Sequence, residues 1–466
     1  MKKPPARPSV NSEKEPPATP GRLKENPKTA MTQKSTITNL KSAAPEDIEI
    51  HQMARLRAQL EFLLGESQNL FYKEKLAGID PATLRSVADM AALPFTLKSE
   101  LVAEQNNYPP YGRNLSYPAA DYIKLHQTSG TTGRPLRVLD TRESWDWWSN
   151  CWMQVFEAAG VTREDRVFLA FSFGPFIGFW AGYEGAAQLG ALAIPGGGMD
   201  TEQRLAAILE YEATVVCCTP SYSLYLAEVA EKKGIDLAGS AVHTLILAGE
   251  PGASIPAVRQ RIERAWGAKA HDHAGASEIG AYGFSCAAQN GLHINESEFI
   301  IEVLEPGTNR PMAPGQSGEM VLTNLGRWGF PVIRYRTGDT VQLAEQPCAC
   351  GSTYKFIQGG IIGRTDNMIT VRGINIYPSS VEAVIREVLP SSEFRLIFLR
   401  EHNMDELEVE VEMDESEQAA HLENLSRLFR QRLALRVPVR AVVPNSLPRF
   451  QLKARRIEDR RSRLGQ

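Results

Sequence analysis

Cysteine is scarce, 6 in 466 residues, too few for a disulfide-stapled scaffold. Nor is positive charge in excess. Lys plus Arg number 51 against 55 Asp plus Glu, a net charge of −4, whereas a dedicated nucleic-acid binder shows a clear basic surplus. The first residues hold charges and prolines but no apolar core of signal-peptide type, which predicts a cytoplasmic protein with reduced thiols. No apolar run is clean enough to span a membrane. The best stretch, Val167 to Pro195, is broken by Pro175, Glu184, Gln188 and several glycines, and reads as a buried strand, helix and strand. Neither nucleic acid nor membrane is expected as a partner.

What is present is ordinary globular composition, 43% apolar and 23% charged, at a length that allows two or three domains. Residues 1–44 stand apart with seven prolines, nine Lys or Arg, three Glu and no aromatic residue. Such a segment cannot bury enough apolar surface to offset its ordering entropy and is expected to be a disordered tail. From Asp47 the pattern changes. Met53, Leu56, Leu60 and Leu63 recur at helical spacing. Strand-like runs (166–171, 191–195, 214–219, 244–248) then alternate with helical ones (143–159, 201–211), which predicts an α/β fold of layered sheets and helices. From Gly363 a smaller α+β unit is expected. Ser379-Ser380-Val381-Glu382 reads as a capping box. Leu407, Val409 and Val411 alternate with Glu408, Glu410 and Glu412, as in a half-exposed strand, and a helix over 417–435 follows.

The most informative segment is Thr128-Ser129-Gly130-Thr131-Thr132-Gly133-Arg134-Pro135. Its glycines let backbone N–H groups curl around phosphate oxygens, and its hydroxyls add donors or magnesium ligands. A plain Ser/Thr/Gly turn is the alternative. Trp145, Trp148 and Trp152 share one face of the following helical pattern and are expected in the core. Four more motifs follow in order: Ala274-Gly275-Ala276-Ser277-Glu278; Tyr335-Arg336-Thr337-Gly338-Asp339; Gly363-Arg364-Thr365-Asp366-Asn367-Met368 with Arg372-Gly373-Ile374-Asn375-Ile376-Tyr377-Pro378; and Leu447-Pro448-Arg449 with Lys453.

That ordered set resembles the adenylate-forming enzymes. The runs Phe71-Tyr72, Leu93-Pro94-Phe95-Thr96-Leu97-Lys98 and Gly291-Leu292-His293-Ile294 resemble, more closely, the phenylacetate–coenzyme A ligases. The resemblance spans about residues 50–466. It implies a large N-terminal adenylation domain of mixed sheets and helices (45–363) and a small mobile C-terminal domain (364–466) turning about a hinge at Asp366 or Asn367. It implies that Thr128, Ser129, Gly130, Thr131, Thr132 and Gly133 hold the ATP phosphates, and that Ala274, Gly275 and Ser277 border the nucleotide. Glu278 would ligand Mg²⁺, Asp339 would accept hydrogen bonds from the ribose diol, and Arg364 would lie near the ribose. Thr131, Glu278 and Lys453 form the implied catalytic set, with Lys453 bridging carboxylate and α-phosphate as charge develops. Arg372 and Gly373 would line the coenzyme A channel. The family usually has an aromatic ring stacked on adenine where this chain has Ala274; either a neighbour such as His273 or Tyr282 compensates, or adenine binding is weaker.

Phe171, Phe173, Phe176, Phe179, Trp180 and Tyr183 cluster between glycine-rich turns. Aromatic lining suits a planar aryl acid, with a core helix as the plain alternative. The resemblance puts Phe173, Phe176, Gly249 and Gly275 at the acyl pocket. Cys348 and Cys350 form a tight pair, and Cys286 and His293 lie upstream. Three thiolates and an imidazole make a structural Zn²⁺ set, if the fold unites them; the alternative is small buried cysteines and a loop histidine. Cys151, Cys217 and Cys218 read as core. The leading expectation is an ATP- and Mg²⁺-dependent aryl-acid–coenzyme A ligase that forms homodimers, as its relatives often do. The alternatives are transfer to a carrier-protein thiol or an amine, and a non-catalytic nucleotide-binding homologue. Glu278, Asp339 and Lys453 speak against the last, and Ala274 speaks mildly for it.

Overall fold

The structure of the protein is a computed structural model that describes residues 40–128, 135–171, 173–174, 177, 180–364, 369–371, 374–376, 378–401, 404–416, 418–433, 435–450 and 456–461. Three helices come first: α1 (Pro45–Leu64), α2 (Leu70–Lys75) and α3 (Lys98–Asn107). A two-stranded unit follows, β1 (Tyr122–Gln127) and β2 (Arg137–Thr141). Then come α4 (Arg142–Ala158), β3 (Arg166–Leu169), α5 (Trp180–Leu189), β4 (Leu192–Pro195), α6 (Thr201–Glu210), β5 (Val215–Cys218), α7 (Pro220–Lys232), β6 (Thr244–Ala248), α8 (Pro256–Trp266) and β7 (Lys269–Ala276). The next strands are β8 (Gly280–Phe284), β9 (Gly291–Ile294), β10 (Phe299–Leu304), β11 (Ser317–Asn324), β12 (Tyr335–Gln342), β13 (Phe356–Gln358) and β14 (Gly363–Arg364). The C-terminal part holds β15 (Ile369–Val371), β16 (Ile374–Ile376), α9 (Pro378–Val388), β17 (Phe394–Glu401), β18 (Met404–Glu412), α10 (Gln418–Leu433), β19 (Val439–Val442) and β20 (Ile457–Asp459).

The α/β expectation holds. An eight-stranded sheet runs β13-β9-β8-β7-β6-β5-β3-β4. Its β3 to β7 are parallel and joined by helical crossovers, and β8, β9 and β13 extend it antiparallel. Central β5, Val-Val-Cys-Cys, is buried at every residue, as a strand covered on both faces must be. Cys151, Cys217 and Cys218 are core residues, as expected. Trp266 is fully buried and donates from Nε1 to the Ser223 carbonyl at 3.1 Å. A second sheet, β10-β11-β12-β14, is antiparallel. Helix α1 starts with Pro45 and acidic Glu46 and Asp47, all suited to a helix N-terminus. Its Met53, Leu56, Leu60 and Leu63 pack with Tyr72, Ile300, Leu325 and Ile333. Among the described residues no helix is long and apolar enough to cross a membrane.

The C-terminal part builds a core of its own. Val381, Val384 and Ile385 of α9 meet Phe394, Leu396, Leu407, Val409, Val411, Leu425 and Phe429. Two local expectations are corrected here. Helix α9 already starts at Pro378, whose fixed φ suits the first helical position, so Ser379 lies inside it rather than capping it. Glu410 and Glu412 are buried, not exposed. Arg395 of the neighbouring strand donates to Glu410 at 2.9 Å, and Arg449 to Glu412 at 2.8 Å, which neutralises both carboxylates where they lie.

The least accessible ion pair joins Arg327, just after β11, to Asp140 of β2. Both side chains are wholly buried, and the guanidinium makes two parallel 2.7 Å bonds to the carboxylate. Its third edge donates to the Ser277 carbonyl at 2.7 Å, and its face lies 4.2 Å from the Trp148 ring. Asp140→Ala leaves that charge buried and unpaired, so the variant is expected to lose about 3–5 kcal/mol of stability in urea denaturation.

A second buried carboxyl gives a pH signature. Burial lifts Asp272 of β7 to about 6, against a hydrogen bond from Ser254 that favours its charge. The unfolded chain releases this proton near pH 4, so the folded state binds more protons between pH 4 and 6. The group's contribution is therefore most favourable at and below pH 4 and is lost as pH rises through 6. Relative to Asp272→Asn, wild-type stability is expected to fall by about 1–3 kcal/mol between pH 4 and 7.5; parallel curves for the two proteins across that range contradict it.

Candidate active site

Parallel strands leave their loops at one sheet edge, beyond the carboxyl ends, where α/β proteins bind ligands. Gly249 follows β6, and Gly275 ends β7 beside it, with Ala248 and His273 in register. The turn after β7 carries Ser277 and Glu278. Thr128 closes the base of the glycine-rich segment: its N–H donates to the Leu136 carbonyl at 3.0 Å and its Oγ1 accepts from Leu136 N at 3.1 Å. Ser129, Gly130, Thr131, Thr132, Gly133, Phe176, Asp366, Asn367, Arg372, Gly373 and Lys453 lie outside the described residues.

Glu278 is buried, yet its carboxylate is not bare. Lys98 Nζ lies 2.7 Å from Oε1, and Tyr335 OH donates to the same oxygen at 3.3 Å. Lys98 arrives there because the segment before it docks on β12. Thr96 N–H donates to the Arg334 carbonyl, and Arg336 N–H to the Thr96 carbonyl, each at 3.0 Å. Tyr72 braces this join, its hydroxyl 2.8 Å from Thr96 Oγ1 and accepting from Ile333 N at 2.8 Å. The Phe71-Tyr72 and Leu93–Lys98 runs thus form one support. Sequence reasoning noted both runs and missed Lys98 as a site cation; its separation from Glu278 along the chain hides the pairing. A buried carboxylate in the turn after β7 fits Mg²⁺, which takes few protein ligands beside substrate phosphates and water.

Asp339 and Arg364 meet as cross-strand partners on β12 and β14, with Nη1 3.0 Å from Oδ1. The same guanidinium donates to the Thr337 carbonyl at 3.3 Å. Tyr282, buried on β8, is near enough to feel both charges. On β7, Ala274 faces Gly283, and Asp272 shares its side of the strand, turned toward Ser254. His273 points the other way. Its ring packs on Trp152 at 4.2 Å. His273 therefore does not stand in for the missing aromatic ring at position 274. Sequence reasoning also passed over Asp272 as a buried acid, since an acid inside a strand gives no signal of its own.

On the His273 side, an aromatic wall follows. Trp152 of α4 fits against Gly182 of α5, where an added Cβ would lie 3.4 Å from the indole. Phe173 packs edge-on against Trp180 at 4.7 Å and against Tyr183 at 6.0 Å. Gly197 borders the same ring: a Cβ there would lie 2.6 Å from Phe173. Trp145, Trp148 and Trp152 are all buried, and Trp152 serves both as core and as part of this wall.

The cysteine and histidine candidates converge away from that edge. Ligand atoms of Cys286, His293, Cys348 and Cys350 all lie within 4.8 Å of one another. Cys286 and Cys348 sulfurs are 3.6 Å apart, and Cys350 Sγ is 3.3 Å from His293 Nε2. A tetrahedron with bonds of about 2.3 Å to sulfur has edges of about 3.8 Å. His293 Nδ1 donates to the Tyr354 carbonyl at 3.2 Å, leaving the Nε2 lone pair for a metal. This donor set fits zinc, with no open position. The same loop holds the start of the described chain: Thr353 donates from N to the Lys41 carbonyl at 2.9 Å and from Oγ1 to the Ala43 carbonyl at 2.8 Å.

Comparison with known proteins accords with this geometry. The AMP-binding enzyme family model matches residues 49–326, and the AMP-binding enzyme C-terminal domain model matches residues 373–461. The phenylacetate-coenzyme A ligase of Thermus thermophilus is 32% identical over 419 residues, covering 84% of this chain and 92% of that protein. The crystal structure of 2-hydroxyisobutyryl-CoA ligase in the postadenylation state, in complex with R3-HIB-AMP, superposes with a TM-score of 0.83 at 31% identity, over 90% of this chain and 91% of that one. With 2-HIB-AMP and CoA in the thioesterification state, that ligase gives a TM-score of 0.68 at 32% identity, over 91% of each chain. The chain belongs to the AMP-binding enzyme family and, within it, to the phenylacetate–coenzyme A ligases.

Proposed function

We propose that this protein is an AMP-forming acid–thiol ligase acting on an aryl carboxylic acid. The acid's carboxylate attacks the α-phosphate of ATP, giving an acyl-adenylate and pyrophosphate. The thiol of coenzyme A then attacks the acyl carbonyl, giving a thioester and AMP. The observation that carries the reading is Glu278, in the turn after β7, meeting Lys98 and Tyr335 of the strand that also bears the Asp339–Arg364 pair, with the Phe173, Trp180 and Tyr183 rings clustered in the loop and helix after β3. It joins two kinds of recognition, for a charged nucleotide and for a flat apolar acid.

The carboxylate is already a nucleophile, so the protein's task is alignment and neutralisation of charge. Residues 128–133 hold the phosphates through backbone amides and hydroxyls. Asp339 accepts from the ribose diol, oriented by Arg364. Lys98 is a cation within reach of the phosphates, and Lys453 bridges carboxylate and α-phosphate. Glu278 would hold Mg²⁺, which when bound neutralises phosphate charge. Residues 364–466 form the mobile unit, hinged at Asp366 or Asn367, and Arg372 and Gly373 line the thiol's path. The higher TM-score to the postadenylation structure supports assigning this conformation to the first half-reaction. Zinc on Cys286, His293, Cys348 and Cys350 is structural, tying their loops together.

Acid-dependent pyrophosphate release is expected to need an aryl acid and to yield a thioester once coenzyme A is added. An adenylate that accumulates despite coenzyme A would instead favour a carrier-protein or amine acceptor. Lys453→Ala is expected to slow pyrophosphate release about 10²–10³-fold, while thioester formation from supplied acyl-adenylate persists. Metal analysis of the purified protein is expected to find one zinc per chain; Cys286→Ser should lose it and melt several degrees lower. Protein purified without zinc at full stability contradicts the metal assignment.

A further inference from the structure

His273 carries a hydrogen-bonding atom with no assigned task. Its Nδ1 is 2.8 Å from the Gly283 carbonyl oxygen. A carbonyl only accepts, so Nδ1 bears the proton and Nε2 presents a lone pair. The ring is 6% exposed and pressed on Trp152 at 4.2 Å, which fixes its direction. Burial lowers the imidazole to about 4, so at neutral pH it is uncharged and Nε2 can only accept. Among the described residues no donor meets Nε2.

What faces that atom is space. Gly275, two residues along the same side of β7, is exposed, and a Cβ built on it would lie 3.2 Å from Nε2. The missing side chain opens the strand beside the lone pair. The wall there is aromatic: His273 rests on Trp152 and Trp152 on Gly182 of α5, while another face of that helix sets Trp180 and Tyr183 against Phe173. A polar acceptor in such a wall costs free energy unless a ligand or water donates to it. Gly275 is also where the family resemblance puts the acyl pocket, so an aryl acid seated there brings its ring beside the lone pair.

We infer that His273 is a specificity-determining residue whose Nε2 accepts a hydrogen bond from a ring hydroxyl or ring amino group, and that the preferred substrate is an aryl acid bearing such a donor. This rests on the aryl-acid reading above and narrows it. A site built around one hydrogen bond rejects the analogue that lacks it more strongly than an apolar pocket rejects an added group.

The test uses the full chain with ATP, Mg²⁺ and coenzyme A, reading pyrophosphate release. Phenylacetate and benzoate are compared with their ring-hydroxylated and ring-aminated isomers. At least one donor-bearing isomer is expected to exceed its parent about tenfold or more in kcat/KM. His273→Leu is expected to bring that ratio to about one or below, and His273→Gln, which keeps an acceptor, to restore part of it. Should His273→Leu fail to fold, the wild-type ratio and His273→Gln decide. Parents used as well as every isomer, or a ratio unmoved by His273→Leu, overturns this inference and leaves the aryl-acid reading standing. Release with no aryl acid at all overturns both.

Discussion

One buried guanidinium ties the two halves of the site to the fold. Arg327 satisfies Asp140 with two bonds and spends its remaining edge on the Ser277 carbonyl. The carbonyl belongs to the turn that aims Glu278, and Asp140 belongs to the strand that follows the glycine-rich segment. A charge this deep tolerates no slack, because any loosening exposes an unpaired ion to a medium that cannot solvate it. The stack of Trp148 on the guanidinium adds a further restraint from α4. The turn after β7 thus keeps its position although it lies in a loop, the kind of element that otherwise drifts.

Around that anchor the protein divides labour between the two sides of one strand. Side chains alternate along β7, so Asp272 and Ala274 turn one way and His273 and Gly275 the other. On the Asp272 side the carboxyl meets Ser254 and Ala274 meets Gly283. The His273 side looks toward indoles and phenyl rings. A single backbone path therefore separates a buried carboxyl from an aromatic cluster.

The layering, the long helices and the cysteine–histidine quartet were legible in the residues. Periodicity reports which face is buried, and the thiol and imidazole side chains have few other reasons to occur at such spacing. The partners were not legible. That Lys98 meets Glu278 depends on the 93–98 segment pairing with β12, and that Asp339 meets Arg364 depends on a register between strands. The burial of Glu410 and Glu412 was hidden for the same reason: alternation marks them as outward-facing, and only the neighbouring arginines turn that face into an interior. For His273 a signal existed. Strand alternation alone sets it opposite Ala274, which rules it out as that residue's substitute.

The way α1 is held bears on how the chain comes to be folded. Its Gln52 donates to the carbonyls of Glu296 and Phe299, and Arg55 to those of Ser297 and Leu325. Every one of those acceptors is made about 240–270 residues after the helix. At about 5–20 residues per second of synthesis, the helix leaves the ribosome roughly 12–50 s before its seat exists. Its apolar stripe of Met53, Leu56, Leu60 and Leu63 must meanwhile stay out of wrong contacts. That helix thus emerges well before its seat is made, and its docking waits on strands and loops from the far side of the sequence.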